Sequence, residues 1–176
     1  MADVPLPTQP DQRSCGATVL VMARVLTDPE YAARVAAPEA FRAEVLAVHG
    51  RATSAVDAAG RIQLPWPRLL GTPPWAVAHH LSATTGTTYR VRPARWHRAV
   101  AFDRVVTAVT AGHPVPVYVG SAWLPRHVVL AQGTRDGALR VYEPAGGHLA
   151  DVTREAFVAG SLGLAGWDRP WFAVLP

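Results

Sequence analysis

The chain of 176 residues contains no lysine and no asparagine, and it has a single cysteine. All 17 of its basic residues are therefore arginines. Without lysine the chain can form no lysine Schiff base and no P-loop, and without asparagine fewer side-chain types remain to orient a catalytic histidine. A single cysteine excludes an intramolecular disulfide framework and any metal site built from several cysteines.

Long hydrophobic runs are also absent. No stretch of about 18 apolar residues occurs, so we predict no membrane span and no membrane partner. Residues 1–10 lack the basic region and the apolar core of a signal peptide, and we therefore expect a cytoplasmic protein. The net charge of +4 is modest and the arginines are spread along the chain. We predict no nucleic-acid partner, because the basic stretch at 89–98 is best interpreted as a solvated strand edge.

The composition is that of a globular protein, with 49% hydrophobic and 17% charged residues. The length predicts one domain over residues 1–176. Apolar periodicity and turn residues predict helices over about 15–26, 38–48, 74–82, 101–111 and 153–159. They predict strands over 87–91, 115–119, 127–132, 139–142 and 172–175. Helices first and an antiparallel sheet second predict an α+β fold.

The surroundings of Cys15 indicate chemistry. Polar and turn-forming residues run up to it, and an apolar helical stretch begins directly after it. This pattern places the thiol at a helix N-terminus, where backbone N–H groups and the helix dipole favour the thiolate that attacks carbonyl carbons. A lone cysteine is more often a small buried hydrophobe, so a catalytic interpretation also requires a base.

His127 is the best candidate for that base, because it opens an apolar strand and a strand end can aim an imidazole across a cleft. Glu143 ends the next strand, beyond a hairpin turn at residues 136–137. Hairpin pairing brings the end of one strand beside the start of the other. We therefore predict that Glu143 orients His127, with Asp151 as a weaker alternative.

These segments together resemble the C39-like peptidases, a family of papain-like cysteine peptidases. The matching residues are Gln9-Pro-Asp-Gln-Arg-Ser-Cys15-Gly16, His127-Val-Val-Leu and Glu143-Pro-Ala-Gly-Gly. The resemblance implies a papain-like fold, with Cys15 as the nucleophile at a helix N-terminus in the helical half. It implies that His127 and the carboxylate lie in the sheet half. Where the family has Asp or Asn, this chain has Glu143, which is longer by one methylene.

The resemblance also implies an oxyanion hole, formed by the side-chain amide of Gln9 and the backbone N–H of Cys15. Gln12 is the next candidate if Gln9 has another role. The predicted function is a cysteine peptidase or amide hydrolase that cleaves a peptide or protein through a thioester acyl-enzyme. One alternative is an acyltransferase, either a transpeptidase or a transglutaminase-like enzyme, and another is a catalytically weakened peptide-binding module.

Three tryptophans and one glycine are candidates for the substrate groove. Trp66 and Trp75 lie on a long Pro-rich and Gly-rich segment, Trp123 lies near His127, and Gly16 follows the cysteine. Long loops of this kind are often functional, although packing in the core is an equally good interpretation of the tryptophans. No metal-ligand pattern such as H-E-x-x-H occurs, so no metal or other cofactor is predicted. The sequence leaves the oligomeric state open.

Overall fold

The computed structural model describes residues 6–176, in which six α-helices and six strands form. The helices are α1 (Cys15–Thr27), α2 (Pro29–Arg34), α3 (Pro38–Ala52), α4 (Pro74–Thr85), α5 (Arg98–Thr110) and α6 (Arg154–Ala159). The strands are β1 (Arg90–Pro93), β2 (Val115–Gly120), β3 (Pro125–Arg135), β4 (Ala138–Glu143), β5 (His148–Val152) and β6 (Arg169–Leu175). The signal-peptide prediction rests partly on residues 1–5, which lie outside the described range. Within that range, every helix is too short or too polar to cross a bilayer.

The six strands form one antiparallel sheet in the order β1-β6-β2-β3-β4-β5. Helices α1 to α4 pack on one side of it, around the apolar side chains of β2, β3 and β4 that point that way. Helices α5 and α6 pack on the other side around a second apolar cluster. The predicted α+β fold, with helices in the first half and an antiparallel sheet in the second, is confirmed.

Helix α1 is apolar on every side, and its first nine residues are all buried. It lies between the sheet and the other N-terminal helices, where it contacts α3, α4 and β3. Each large apolar side chain that it buries, such as Leu20 or Met22, contributes about 1.5–3 kcal/mol to the stability of the fold. The N-terminus of α1 is consequently held in a fixed position against β3.

The structure contains elements that the sequence did not predict. Pro29 begins α2, which lies between the predicted helices over 15–26 and 38–48. The side chain of Asp28 caps this short helix by accepting a hydrogen bond of 2.9 Å from the backbone N–H of Tyr31. Strand β5 was also missed, because its sequence is only partly buried and follows a turn rich in glycine.

Candidate active site

Cys15 is the first residue of α1 and lies on a cleft of about 460 Å³. The helix begins here because the residues before it form a closed turn. The hydroxyl of Ser14 donates a hydrogen bond of 3.1 Å to the backbone oxygen of Asp11, and the Asp11 carboxylate accepts one of 2.8 Å from the backbone N–H of Arg13. The predicted position of the thiol at a helix N-terminus is confirmed.

His127 lies on the same cleft, near the beginning of β3. Its Nε2 atom is 2.6 Å from Oε1 of Glu143, the last residue of β4. The side chains of both residues are nearly inaccessible to water, at 6% and 3% exposed. The β3–β4 hairpin, whose last paired residues at this end are Leu130 and Tyr142, carries the two side chains to one edge of the sheet. The predicted approach of Glu143 to His127 is therefore present in the structure.

The Glu143 carboxylate also holds the turn that follows it. Its Oε1 accepts a hydrogen bond of 2.8 Å from the N–H of Ala145, and its Oε2 accepts one of 2.6 Å from the N–H of Gly146. The extra methylene is accommodated because the side chain folds back over this turn. Burial raises the pKa of Glu143, but the hydrogen bonds from His127, Ala145 and Gly146 outweigh it and keep the pKa below the ordinary value.

The pKa of His127 is raised to about 9. Burial alone would lower it, but hydrogen bonds and charge interactions with Cys15 and Glu143 outweigh the cost of burial. Because Nε2 donates to Glu143, Nδ1 is the ring nitrogen left for the thiol. The arrangement therefore favours an imidazolium beside the sulfur at neutral pH.

Gln9 lies beside the turn that Glu143 stabilises. Its backbone N–H donates a hydrogen bond of 2.8 Å to the oxygen of Pro144, and Tyr142 donates its hydroxyl proton to the oxygen of Pro7. The Oε1 atom of Gln9 is buried without a hydrogen-bond partner among residues 6–176. Gln12 lines the cleft next to Cys15, and the residues that line it do not include Gln9. The structure thus brings both glutamines near the site in different positions.

Tyr118 and Thr72, which both line the cleft, take part in a chain of polar contacts. Tyr118 of β2 donates a hydrogen bond of 2.7 Å to the backbone oxygen of Thr72, and the Thr72 hydroxyl lies 3.3 Å from Nδ1 of His49. Gly16 packs against Thr72, since an added Cβ atom would lie 2.8 Å from the Thr72 Cβ. Gly16 is buried, and the cleft lining does not include it. The close contact with Thr72 explains why position 16 holds a residue without a side chain.

The three tryptophans occupy different positions. Trp66 lines the cleft, and its ring meets that of Trp75 edge to face at 5.1 Å. Trp75 lies behind Trp66 and supports it, outside the cleft lining. Trp123 is 85% exposed in the turn between β2 and β3, also outside the lining, although its neighbour Leu124 is part of it. Of the three, the structure brings Trp66 to the cleft.

Sequence reasoning missed several residues of the cleft. A single 3₁₀ turn (Arg68–Leu70) places Leu69 and Leu70 on one wall, and Arg13 and Arg126 contribute charge. The two arginines stand within two positions of Cys15 and His127 in the sequence, which is a signal that could have found them. Within the described residues, no group of three or more His, Cys, Asp or Glu side chains is placed to hold a metal ion.

Comparison with solved structures identifies the fold as that of a peptidase domain. The peptidase domain of Streptococcus ComA, a bifunctional ABC transporter involved in a quorum-sensing pathway, has a TM-score of 0.53 and 13% sequence identity, covering 98% of each chain. The peptidase domain of Streptococcus mutans ComA has a TM-score of 0.44 and 13% identity, covering 98% of this chain and 100% of the other. No protein-family profile and no curated protein sequence matches the chain. The fold implied by the resemblance to C39-like peptidases is confirmed by the first of these structures.

Proposed function

We propose that the chain is a cysteine peptidase that hydrolyses an amide bond of a peptide or protein through a thioester acyl-enzyme. One observation carries the proposal. Cys15 and His127 line one cleft, and Glu143 already holds the imidazole through a hydrogen bond of 2.6 Å. A nucleophile, a base and a group that orients the base are the parts that such a reaction needs. The shared fold with a peptidase domain supports the same conclusion.

In the first half of the reaction, the Cys15 sulfur attacks the carbonyl carbon of the scissile amide. A tetrahedral intermediate forms, with the negative charge on the former carbonyl oxygen. The imidazolium of His127 gives its proton to the leaving nitrogen, the C–N bond breaks, and the free amine departs. The acyl group remains on Cys15 as a thioester.

In the second half, water attacks the thioester while His127, now neutral, accepts a proton from it. The C–S bond breaks, the product carboxylic acid departs, and the thiolate of Cys15 and the imidazolium of His127 are regenerated. Glu143 keeps Nε2 protonated and stabilises the positive charge of the ring at both stages. The turn held by Ala145 and Gly146 fixes the position of the carboxylate.

The negative oxygen of the tetrahedral intermediate requires hydrogen-bond donors. The backbone N–H of Cys15, at the start of α1, is one donor in this proposal. The second is the side-chain amide of Gln9, and Gln12 is the alternative because it lines the cleft. The hydrogen bond between His127 and Glu143 argues against the binding-module alternative, because the longer carboxylate still reaches the ring.

The test is hydrolysis of a diverse peptide library in ¹⁸O-labelled water, followed by mass spectrometry. A peptidase that uses water releases products with one ¹⁸O in the new carboxyl group, whereas acyl transfer joins the acyl fragment to another amine without the label. Cys15→Ala is the matched control and is expected to show no cleavage. Cleavage that persists in Cys15→Ala would contradict the proposal.

A further inference from the structure

The charged side chains that line the cleft beside Cys15 are all basic. Its lining includes Arg13 and Arg126, and none of the described residues that line it is acidic. The nearest catalytic carboxylate, Glu143, lies behind His127 and is already used by the ring and two backbone N–H groups. Asp11 lies two positions before Arg13, but its carboxylate accepts a hydrogen bond from the backbone N–H of Arg13.

Both arginines are exposed, and neither forms a salt bridge with another of the described residues. Their backbones are nevertheless fixed. The N–H of Arg13 is held by Asp11, and the turn before Arg126 is packed so closely that an added Cβ at Gly120 would lie 2.9 Å from the Arg126 nitrogen. Two guanidinium groups that form no salt bridge within residues 6–176 are thus carried on fixed backbone in the lining of the cleft.

The cleft lining is also apolar in part, which restricts the ligands that fit it. Leu69 and Leu70 line the cleft while remaining 68% and 66% exposed, and Leu124 lines it as well. Clustered exposed leucines in a cleft are typical of a surface that a ligand covers. The positive field of the arginines and the protonated His127 attracts anions and raises their local concentration.

We propose that this cleft selects peptide substrates that carry an acidic side chain next to a large apolar one close to the scissile bond. Arg13 and Arg126 bind the carboxylate, and the leucines that line the cleft, Leu69, Leu70 and Leu124, bind the apolar side chain. The identification of the ligand as a peptide rests on the proposed function. The charge preference, in contrast, is a property of the surroundings of Cys15 and can be measured without any peptide.

The test compares alkylation of Cys15 by iodoacetate, which is an anion, with alkylation by iodoacetamide, which is neutral and nearly the same size. Both reagents form a thioether on the sulfur and release iodide. We expect the rate constant with iodoacetate, divided by that with iodoacetamide, to be about tenfold larger for Cys15 than for 2-mercaptoethanol at pH 7 and low salt. This ratio is expected to fall as added salt screens the arginines.

The double variant Arg13→Gln with Arg126→Gln is expected to lose most of this preference while its iodoacetamide rate stays within about twofold. The matched control is Arg90→Gln with Arg92→Gln, which removes the same charge from two exposed residues of β1, outside the cleft. It is expected to leave the ratio unchanged. The unchanged iodoacetamide rate also shows that the variants are folded.

The outcomes separate this inference from the proposed function. If Cys15 reacts rapidly with iodoacetamide but the ratio equals that of 2-mercaptoethanol, or does not respond to the cleft variants, the charge preference is overturned and the peptidase proposal stands. If neither reagent labels Cys15, the proposed function is overturned and this inference with it.

Discussion

Oε1 of Glu143 lies 2.6 Å from Nε2 of His127, and the same carboxylate accepts hydrogen bonds from two backbone N–H groups of the turn that follows it. One buried side chain therefore fixes both the imidazole and residues 144–147. That turn contacts the N-terminal segment, whose Gln9 N–H donates to the Pro144 oxygen. Glu143 thus connects the geometry of the base to the N-terminal segment that carries Gln9.

This geometry predicts the effect of changing Glu143. Glu143→Gln replaces one acceptor oxygen with an NH₂ donor, which must face either Gly146 N–H or the donors of His127 and Ala145. We expect kcat/KM to fall by about 10²–10⁴-fold, because His127 contributes on this scale as a general acid and base and loses the group that orients it. We expect the free energy of unfolding to fall by about 1–3 kcal/mol, the cost of a buried unsatisfied group. Kinetic assays and urea denaturation measure the two effects.

Glu143→Asp is the matched comparison, since it keeps the charge but shortens the side chain. It is expected to retain more activity than Glu143→Gln, because a carboxylate accepts hydrogen bonds at both of its oxygens. Equal loss in the two variants would mean that reach matters and charge does not. No loss in either would remove Glu143 from the site.

A pair of variants distinguishes the roles of Gln9 and Gln12. Gln9→Ala is expected to lower kcat by about 10²–10³-fold with little change in KM, as for the loss of one oxyanion donor. Gln12→Ala, three positions further along, is expected to change KM more than kcat, because Gln12 lines the cleft. If the two results are exchanged, Gln12 is the oxyanion donor.

The raised pKa of His127 predicts a pH dependence. Since the folded-state pKa of about 9 lies above the ordinary value of 6.5, the interactions of the imidazolium stabilise the fold fully below about pH 6.5. This contribution is lost as pH rises through about 9.

NMR titration of the His127 ring is expected to show that Cys15→Ala and Glu143→Gln each lower its pKa. The preference of Cys15 for iodoacetate should decrease over the same range, because the positive ring charge disappears. A ring that titrates near 6.5 in the unmodified protein would contradict this account.

The contact of Gly16 with Thr72 predicts a stability difference between two glycines. Gly16→Ala places a Cβ 2.8 Å from the Thr72 Cβ and is expected to cost about 1–3 kcal/mol, as overpacking of a core does. Gly50→Ala in α3 meets only the flexible end of Arg68, at 3.4 Å, and is expected to be neutral or to stabilise the helix. Thermal denaturation of both variants checks the order, and equal midpoints would contradict the packing role.

Much of this fold could be predicted from local signals. The apolar run after Cys15 predicted α1, and the Asp136-Gly137 turn predicted the hairpin that brings Glu143 towards His127. The 3₁₀ turn that places Leu69 and Leu70 on the cleft has no such signal, because its position depends on contacts between distant segments. For the same reason, Trp66, on the cleft, could not be distinguished from Trp75, which packs against it outside the cleft lining, before the structure was known.

The rate of iodoacetamide alkylation at pH 6, compared between the unmodified protein and His127→Ala, measures whether Cys15 and His127 act as a pair. An ordinary thiol has a pKa near 8.5 and is mostly protonated at this pH, so it reacts slowly. We expect Cys15 to react at least about tenfold faster than 2-mercaptoethanol, and we expect His127→Ala to remove this excess. A rate equal to that of the small thiol, unchanged in His127→Ala, would contradict the pairing of Cys15 and His127.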